Sequence, residues 1–278
     1  MKISEKMPEL PEVEITICNL RKKIIDSRIE KIEIFHQPSL QSIHNLDNLE
    51  QKTFLDIQRK GKFLLFFLSS DWVLVGHFRM EGKIYIHTLE ECKTIHKYEN
   101  FRIFLNNNKI FRYYDFRKFG RFYLYKKETY LEESGLNQLA QDPFSIEALT
   151  LFNKIHKKKT VIKKILLDQR VISGIGNIYA SEILFLAKIH PETKTDSLTL
   201  KQVEIIISIA QKILKNAISY GGTSISSFEA LGVKGSYQNQ LLVYKKDKEN
   251  CSLCKNKINK IKIGGRSSYF CSRCQKHN

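Results

Sequence analysis

The fold of the C-terminal end is decided by residues 251–274, which read CSLCKNKINKIKIGGRSSYFCSRC. Two C-x2-C pairs are separated by sixteen residues, a spacing that lets four thiolates surround one zinc ion as a tetrahedron. Between the pairs, Gly264-Gly265 and the alternating residues Ile258, Ile261 and Ile263 indicate a β-hairpin. So short a segment has too little core to fold alone, and we therefore predict a hairpin that depends on one structural zinc ion.

The zinc interpretation competes with a pair of disulfide bonds. Disulfides persist in oxidising compartments, but the segment MKISEKMPELPEVE at residues 1–14 lacks the apolar stretch of a secretion signal. This favours zinc, and the predicted ligands are Cys251, Cys254, Cys271 and Cys274. The two remaining cysteines, Cys18 and Cys92, are expected to be ordinary buried thiols.

Composition points to a polyanionic partner. The 278 residues suggest about two domains at ~150 residues each, and 46 Lys and Arg against 29 Asp and Glu give a net charge of +17. This excess favours a nucleic acid over a small neutral metabolite. The longest purely apolar run is Phe63–Leu68, far shorter than the ~20 residues of a membrane helix. We expect a cytoplasmic protein that binds no membrane.

Hydrophobic periodicity changes near the middle of the chain. Val13, Ile17, Leu20 and Ile24 predict an amphipathic helix over 11–26, and alternating patterns from 28 to about 125 predict a β-sandwich or barrel. After a polar segment ending in Asp142-Pro143, helices are predicted over residues 146–156, 160–168, 177–187 and 200–219. The Gly- and Ser-rich residues 221–240 are expected to form a mobile loop.

Four motifs carry the chemistry: MPELPEVE at 7–14, RKGKFL at 59–64, LDQ at 167–169 followed by GIGNIYASE at 174–182, and GGR at 264–266. Together, and in this order, they resemble the formamidopyrimidine-DNA glycosylase family, which is related to the endonuclease VIII glycosylases. The resemblance covers Met7 to Gln275.

The resemblance implies an α+β fold. A β-sandwich domain with an N-terminal helix is followed by a helical domain with a helix–two-turn–helix motif and a C-terminal zinc-finger hairpin. The expected boundaries are a catalytic domain over 8–130, a linker over 131–149, a helical domain over 150–240 and a zinc finger over 241–278. The helical domain would include a lesion-capping loop over 221–237. Residues 1–7 are an N-terminal extension expected to be absent from the active form.

The resemblance also implies a bifunctional DNA glycosylase and AP lyase that acts on damaged double-stranded DNA as a monomer, without a nucleotide cofactor. Pro8 matches the family's N-terminal nucleophile and Glu9 its general acid/base, while Lys62 and Arg266 match phosphate-binding residues of the active site. A terminal amine has a pKa near 8, so about a tenth is unprotonated at neutral pH. Within a longer chain the Pro8 nitrogen is an amide, and we therefore expect the working protein to begin at Pro8.

Further residues match the family's contacts to DNA. Lys163 matches a lysine near the damaged base or its phosphate, and Asn177 begins a helix after Gly174-Ile175-Gly176, where backbone amides favour phosphate. Because a base must leave the duplex before it can react, the gap has to be filled. The matching wedge and reader residues are Met80, Arg117 and Phe119.

Three alternatives remain at this point. The first is an endonuclease VIII-like glycosylase that releases oxidised pyrimidines. That branch typically has Gly where Leu10 follows Pro8-Glu9, so Leu10 favours 8-oxoguanine and formamidopyrimidines as substrates. A retained N-terminal extension would instead leave a catalytically silent DNA-binding protein. A generic zinc-finger regulator would explain the cysteines and the charge, but it leaves residues 7–14 without a role.

Overall fold

The computed structural model describes residues 7–92, 94–223, 229–230 and 233–276. The chain divides into two compact units. The first comprises Met1–Asn137 and Tyr220–Ser236, and the second Gln138–Ser219 and Tyr237–Asn278. Their boundary at Asn137 falls inside the predicted linker. That linker is ordered: Leu136 and Ile146 are buried within it.

The first unit is a β-sandwich preceded by a helix, as the sequence predicts. Helix α1 spans Leu10–Ile24. The strands are β1 (Ile29–Ile34), β2 (Leu40–Ser42), β3 (Phe54–Lys60), β4 (Phe63–Leu68), β5 (Trp72–His77), β6 (Lys83–Thr88), β7 (Glu99–Leu105), β8 (Lys109–Tyr114) and β9 (Arg121–Lys126). One sheet has the order β1-β7-β8-β6 and the other β2-β9-β5-β4-β3.

Aromatic side chains join the two sheets. Phe66 of β4 meets Phe111 of β8 edge-on at 5.9 Å between ring centroids, and Phe101 of β7 meets Phe122 of β9 at 5.2 Å. All four rings are fully buried, and α1 adds its apolar face to the same core. Because strands alternate their side chains between two faces, the opposite faces remain available for polar and functional groups.

Tyr113 lies beneath two loops of the sandwich. A Cβ atom added at Gly82, before β6, or at Gly120, before β9, would collide with the Tyr113 hydroxyl group. The Tyr113 hydroxyl group also donates to Asp115 Oδ2 at 3.3 Å. Both loops therefore approach one buried phenol as closely as their backbones allow, which fixes their positions relative to each other.

Residues Tyr220–Ser236 pack with the first unit, although the sequence groups 221–237 with the helical domain. Thr223 joins the segment to α1 through its hydrogen bond to Glu12. Within the segment, the Ser236 amide donates to the Tyr220 carbonyl group at 2.9 Å. Gly235 passes so close to the Gly221 and Gly222 carbonyl groups that a Cβ atom there would overlap them. The segment contains short strands β10 (Glu229–Ala230) and β11 (Val233–Lys234), and residues 224–228 and 231–232 of the predicted loop lie outside the described residues.

The second unit is helical and ends in a hairpin. A short helix α2 (Tyr130–Glu133) closes the first unit, and the second contains α3 (Ala148–His156), α4 (Ile162–Leu167), α5 (Asn177–Leu186) and α6 (Leu200–Ser219). These agree with the four predicted helices to within two residues at each end. Strands β12 (Asn259–Ile263) and β13 (Arg266–Phe270) form the predicted hairpin. In the described part of the chain, no helix combines the length and apolar character needed to span a bilayer.

Replacing Gly120 by Ala should destabilise the first unit, because the new methyl group overlaps the Tyr113 hydroxyl group. Overpacking of a buried site costs about 1–3 kcal/mol, measured as the loss in free energy of unfolding in urea. In a Tyr113→Phe background the same substitution should cost less, since the colliding oxygen is gone. An equal cost in both backgrounds would show that the hydroxyl group is not the obstacle.

Candidate active site

Pro8 and Glu9 lie at the start of the first helix. Both residues are buried, and Glu9 is the N-cap of α1. Pro11 occupies the first turn, where the backbone N–H that proline lacks has no partner within the helix. Glu9 and Glu12 form a capping box, in which the Glu9 amide donates to Glu12 Oε2 at 3.0 Å. The backbone next to Pro8 is therefore held in place by the helix itself.

Glu12 is a site residue that we did not predict from the sequence. Its second oxygen, Oε1, accepts hydrogen bonds from the amide and the hydroxyl group of Thr223, both at 2.9 Å. One buried carboxylate thus binds the backbone of the candidate acid/base Glu9 and the first residues of the candidate capping loop. The signal was present, because Glu three positions after an N-cap is the capping-box pattern.

Lys62 lies in the turn between β3 and β4. Its side chain is 4 % exposed. Arg59, three residues earlier, donates from Nη1 to the Gly61 carbonyl group at 3.2 Å and from Nε to Glu14 of α1 at 2.6 Å. The ion pair connects the Lys62 turn to the helix that begins after Glu9, so it ties together the two segments that carry the candidate residues Lys62 and Glu9.

His77, at the end of β5, is a second residue that sequence analysis missed. Its ring lies 4.5 Å from the ring of Phe63, and Nδ1 accepts the Arg79 amide at 2.9 Å. Burial, with the nearby charges of Arg79 and Lys62, lowers the pKa of His77 to about 3. The imidazole is therefore neutral at physiological pH, and with Nδ1 accepting, Nε2 carries the proton.

The loops around Tyr113 present the predicted wedge residues. Met80 is half-buried, while Phe119 is 48 % exposed and stacks under the Arg117 guanidinium group at 4.9 Å. The Asp115 carboxylate accepts the amides of Arg117, Phe119 and Gly120, which orders the loop before any ligand arrives. Among the described residues, Arg117 Nη1 is buried and has no hydrogen-bond partner.

In the second unit, Lys163 is fully buried. The family resemblance implies that this lysine lies near the damaged base or its phosphate, and that role stays a prediction. Its ammonium group donates to the Asn177 carbonyl group at 3.2 Å and to Ser181 Oγ at 2.7 Å. A buried charge needs such partners, and here they belong to the first turn of α5. Lys163 therefore stabilises the first turn of α5, which contains Asn177.

Asn177 connects that helix to the hairpin. Its Nδ2 donates to the Ser267 carbonyl group at 2.9 Å, and Ser267 follows Arg266, whose side chain is exposed. Gln169 fixes the turn before the helix, because it accepts the Gly174 amide at 2.8 Å and donates to the Ile175 carbonyl group at 2.9 Å. The second unit thus brings Lys163, Asn177 and Arg266 into one connected arrangement.

The four predicted ligands form a cluster suited to zinc. All four Sγ atoms lie within 4.8 Å of one another, with 3.9 Å from Cys251 to Cys274 and 3.4 Å from Cys254 to Cys271. Zn–S bonds of about 2.3 Å put the sulfurs of a tetrahedron about 3.8 Å apart, whereas a disulfide needs about 2.05 Å. The cysteines hold one structural zinc ion. Outside the cluster, Cys92 is buried as expected, but Cys18 is exposed on α1.

Three segments of the chain match models of known protein families. Residues 7–122 match the formamidopyrimidine-DNA glycosylase N-terminal domain, residues 139–229 match the H2TH domain of the same enzymes, and residues 248–276 match a zinc finger found in FPG and IleRS. The formamidopyrimidine-DNA glycosylase of Mycoplasma mobile is 41 % identical over 98 % of this chain and 100 % of its own length. The Mycoplasma genitalium protein of that name is 43 % identical over 97 % and 96 %.

Solved structures give the same result. A mutant of the Lactococcus lactis Fpg in complex with Fapy-dG-containing DNA, and the Lactococcus lactis Fpg bound to abasic-site DNA, both superpose with a TM-score of 0.90. Each is 35 % identical and covers 97 % of this chain and 100 % of its own. The chain belongs to the formamidopyrimidine-DNA glycosylase family of DNA-repair enzymes.

Proposed function

We propose that this DNA glycosylase releases oxidised purines, namely 8-oxoguanine and formamidopyrimidines, from duplex DNA and then cuts the strand as an AP lyase. The observation that carries the proposal is the placement of Pro8 and Glu9 at the capped start of α1, anchored by Glu12. Purine lesions are favoured because Leu10 follows the Pro8-Glu9 pair. All the proposed catalytic residues belong to one chain, so a monomer suffices.

The proposed nucleophile is the secondary amine of Pro8, exposed when the residues before it are removed. Its nitrogen forms a bond to C1′ of the deoxyribose as the bond from C1′ to the base breaks, and the proton that the nitrogen loses passes through water to the departing base. Glu9 donates a proton to O4′ as the sugar ring opens, which yields an iminium ion. Loss of a C2′ proton then expels the 3′ phosphate, and a second elimination expels the 5′ phosphate.

The other residues of the first unit position the DNA in this proposal. The Lys62 ammonium group and the Nε2–H group of neutral His77 lie close enough to interact electrostatically, and both suit the phosphates beside the lesion. The half-buried Arg117 guanidinium group would bind the base opposite the lesion. Met80 and Phe119 would fill the gap in the base stack.

The second unit contributes phosphate-binding groups. Arg266 offers a guanidinium group at the start of β13, and the zinc ion fixes the hairpin that carries it. Asn177 connects α5 to this hairpin through Ser267. The proposed role of Lys163 is to position the first turn of α5 rather than to bind DNA directly.

Borohydride trapping on a duplex with one 8-oxoguanine tests the nucleophile, because reduction turns the iminium ion into a stable amine. We expect mass spectrometry to find the DNA attached to a chain that begins with Pro8. Attachment to a lysine would overturn Pro8 as nucleophile. Tight binding without a cross-link, by a chain that retains Met1, would favour the silent DNA-binding alternative, and equal trapping on thymine glycol would contradict the purine preference.

Replacing Glu9 by Gln should slow base release by about 10²–10⁴-fold, the usual contribution of a positioned acid or base. Affinity for the damaged duplex should change little, because the amide side chain keeps the shape of the carboxylate. Single-turnover gel assays give the rate and fluorescence anisotropy gives the affinity. Glu90→Gln, at an exposed position, is the matched control. Excision at the parental rate by the Glu9 variant would remove Glu9 from the mechanism.

His77→Asn tests the neutral imidazole. The pKa of His77 is about 3 in the folded protein and 6.5, the ordinary value of histidine, in the unfolded chain. Between these two pH values the unfolded chain therefore binds more protons than the folded protein. Unfolding free energy should therefore fall as the pH decreases through this window, by up to about 1.4 kcal/mol per pH unit.

Urea titrations from pH 7 to pH 4 should show a smaller acid-induced loss in the His77→Asn variant than in the parent. The exposed His44→Asn variant should follow the parent. Parallel losses in the parent and the His77 variant would show that folding does not lower the pKa of His77.

A further inference from the structure

A groove of about 390 Å³ lies on the face of β6 and β8 that points away from the core. Ile84 and Ile86 pack inward, and the residues that alternate with them line the groove. Its ring-bearing residues are Tyr85, His87, His96, Tyr98, Tyr114 and Phe116. The volume is within the range of ~300–1,000 Å³ for sites that bind small organic molecules. We call this feature the aromatic groove.

The rings are fixed in position by contacts among themselves. Ring centroids are 5.2 Å apart for Tyr85 and Tyr114, 5.1 Å for His96 and Tyr114, and 4.9 Å for Tyr98 and Phe116. The backbone beneath them is also held: the Tyr98 amide donates to His96 Nδ1 at 3.2 Å, and the Asp115 amide donates to the Tyr98 carbonyl group at 3.0 Å. A flat ligand would thus meet a preformed stacking surface.

The charges around the aromatic groove favour an anionic ligand. Lys83 lines it, and the Lys97 ammonium group lies 5.6 Å from the centre of the Tyr98 ring. Among the described residues of the lining, Glu81 is the one acidic side chain and Lys83 balances its charge, so Lys97 beside the Tyr98 ring supplies the excess of positive charge. Aromatic rings alone would also suit a quaternary ammonium group, but the two lysines oppose a cation and suit a phosphate.

Two residues that line the aromatic groove are sequence neighbours of the proposed DNA-binding residues. Glu81 directly follows Met80, and Phe116 directly precedes Arg117. DNA held by the loops of Met80 and Arg117 would therefore pass close to the Glu81 and Phe116 end of the groove. A strand cut by successive eliminations also leaves an unpaired base opposite a one-nucleotide gap.

We propose that the aromatic groove binds one unpaired nucleotide of DNA, with the base stacked on the rings of Tyr98 and Tyr114 and the phosphate near Lys83 and Lys97. The proposal rests on the proposed function, because it needs DNA at the Met80 and Arg117 loops. Stacking on aromatic rings is tolerant of base identity, since every base has a π face. The site would accordingly prefer gapped or overhanging DNA with little regard to sequence.

The test compares the affinity of the whole protein for a blunt duplex and for the same duplex with a five-nucleotide single-stranded overhang. We expect the overhang to bind about tenfold more tightly, in keeping with one stacked base. Tyr98→Leu and the exposed Phe116→Leu should each abolish most of this preference and leave affinity for the blunt duplex as it was. Tyr123→Leu, a half-buried tyrosine of β9 outside the groove, should behave like the parent.

Two results would overturn the proposal: equal binding of both duplexes by the parent, or a preference that survives both groove substitutions. Displacement of the overhang by a trimethyllysine peptide but not by dAMP would assign the groove to a cationic partner instead. Photo-cross-linking of 5-iodouracil in the overhang should attach to residues 96–98 or 114–116. Trapping at Pro8 is measured separately on blunt duplex, so loss of the groove and loss of the lyase reaction are distinguishable.

Discussion

The hydrogen bonds of the Glu12 carboxylate are the interaction on which the site of the first unit depends. One oxygen binds the Glu9 amide, and the other binds the amide and hydroxyl group of Thr223. The carboxylate is buried, so each of these bonds forms where water cannot replace it. Glu9 and Thr223 are more than two hundred residues apart in sequence, yet they share one acceptor group. Any shift of α1 therefore moves both.

Buried polar groups recur wherever the structure must hold a functional residue. Asp115 orders the loop of Arg117 and Phe119, Lys163 supports Asn177, and Glu182 of α5 accepts the amides of residues 242–244. Burial raises the pKa of Glu182 while these amides oppose the shift. Each unit thus uses satisfied interior hydrogen bonds to position its surface groups, and loss of one partner would leave the other buried and unpaired.

Local patterns were sufficient to predict most elements of the fold. The two C-x2-C pairs identify the zinc site, Gly264-Gly265 the hairpin between them, and the 3.6-residue period the helices α3 to α6. The sheet order and the association of Tyr220–Ser236 with the sandwich could not be predicted, because they depend on contacts between residues distant in sequence, such as Glu12 with Thr223. Periodicity indicated the strands around Tyr113. It could not indicate that Gly82 and Gly120 pack against the Tyr113 hydroxyl group.

Site residues that stand in a recognisable sequence motif were easier to identify than residues whose properties depend on their surroundings in the folded protein. Pro8, Glu9 and Arg266 stand in recognisable motifs. The sequence does not show that the His77 imidazole is neutral or that the Lys163 ammonium group is buried, because packing determines both. The aromatic groove is likewise invisible in the sequence, because its rings come from three separate segments.

Tyr113, Gly82 and Gly120 have a consequence for how the chain can change over evolutionary time. Because one hydroxyl group occupies the space beside both glycines, a substitution at any of the three positions alters what the other two can accept. Such positions are epistatic: a larger residue at Gly120 becomes acceptable only after Tyr113 has become smaller. The loops of Met80 and Arg117 should therefore diverge together, as a single inherited unit, while residues on the surrounding surface drift independently.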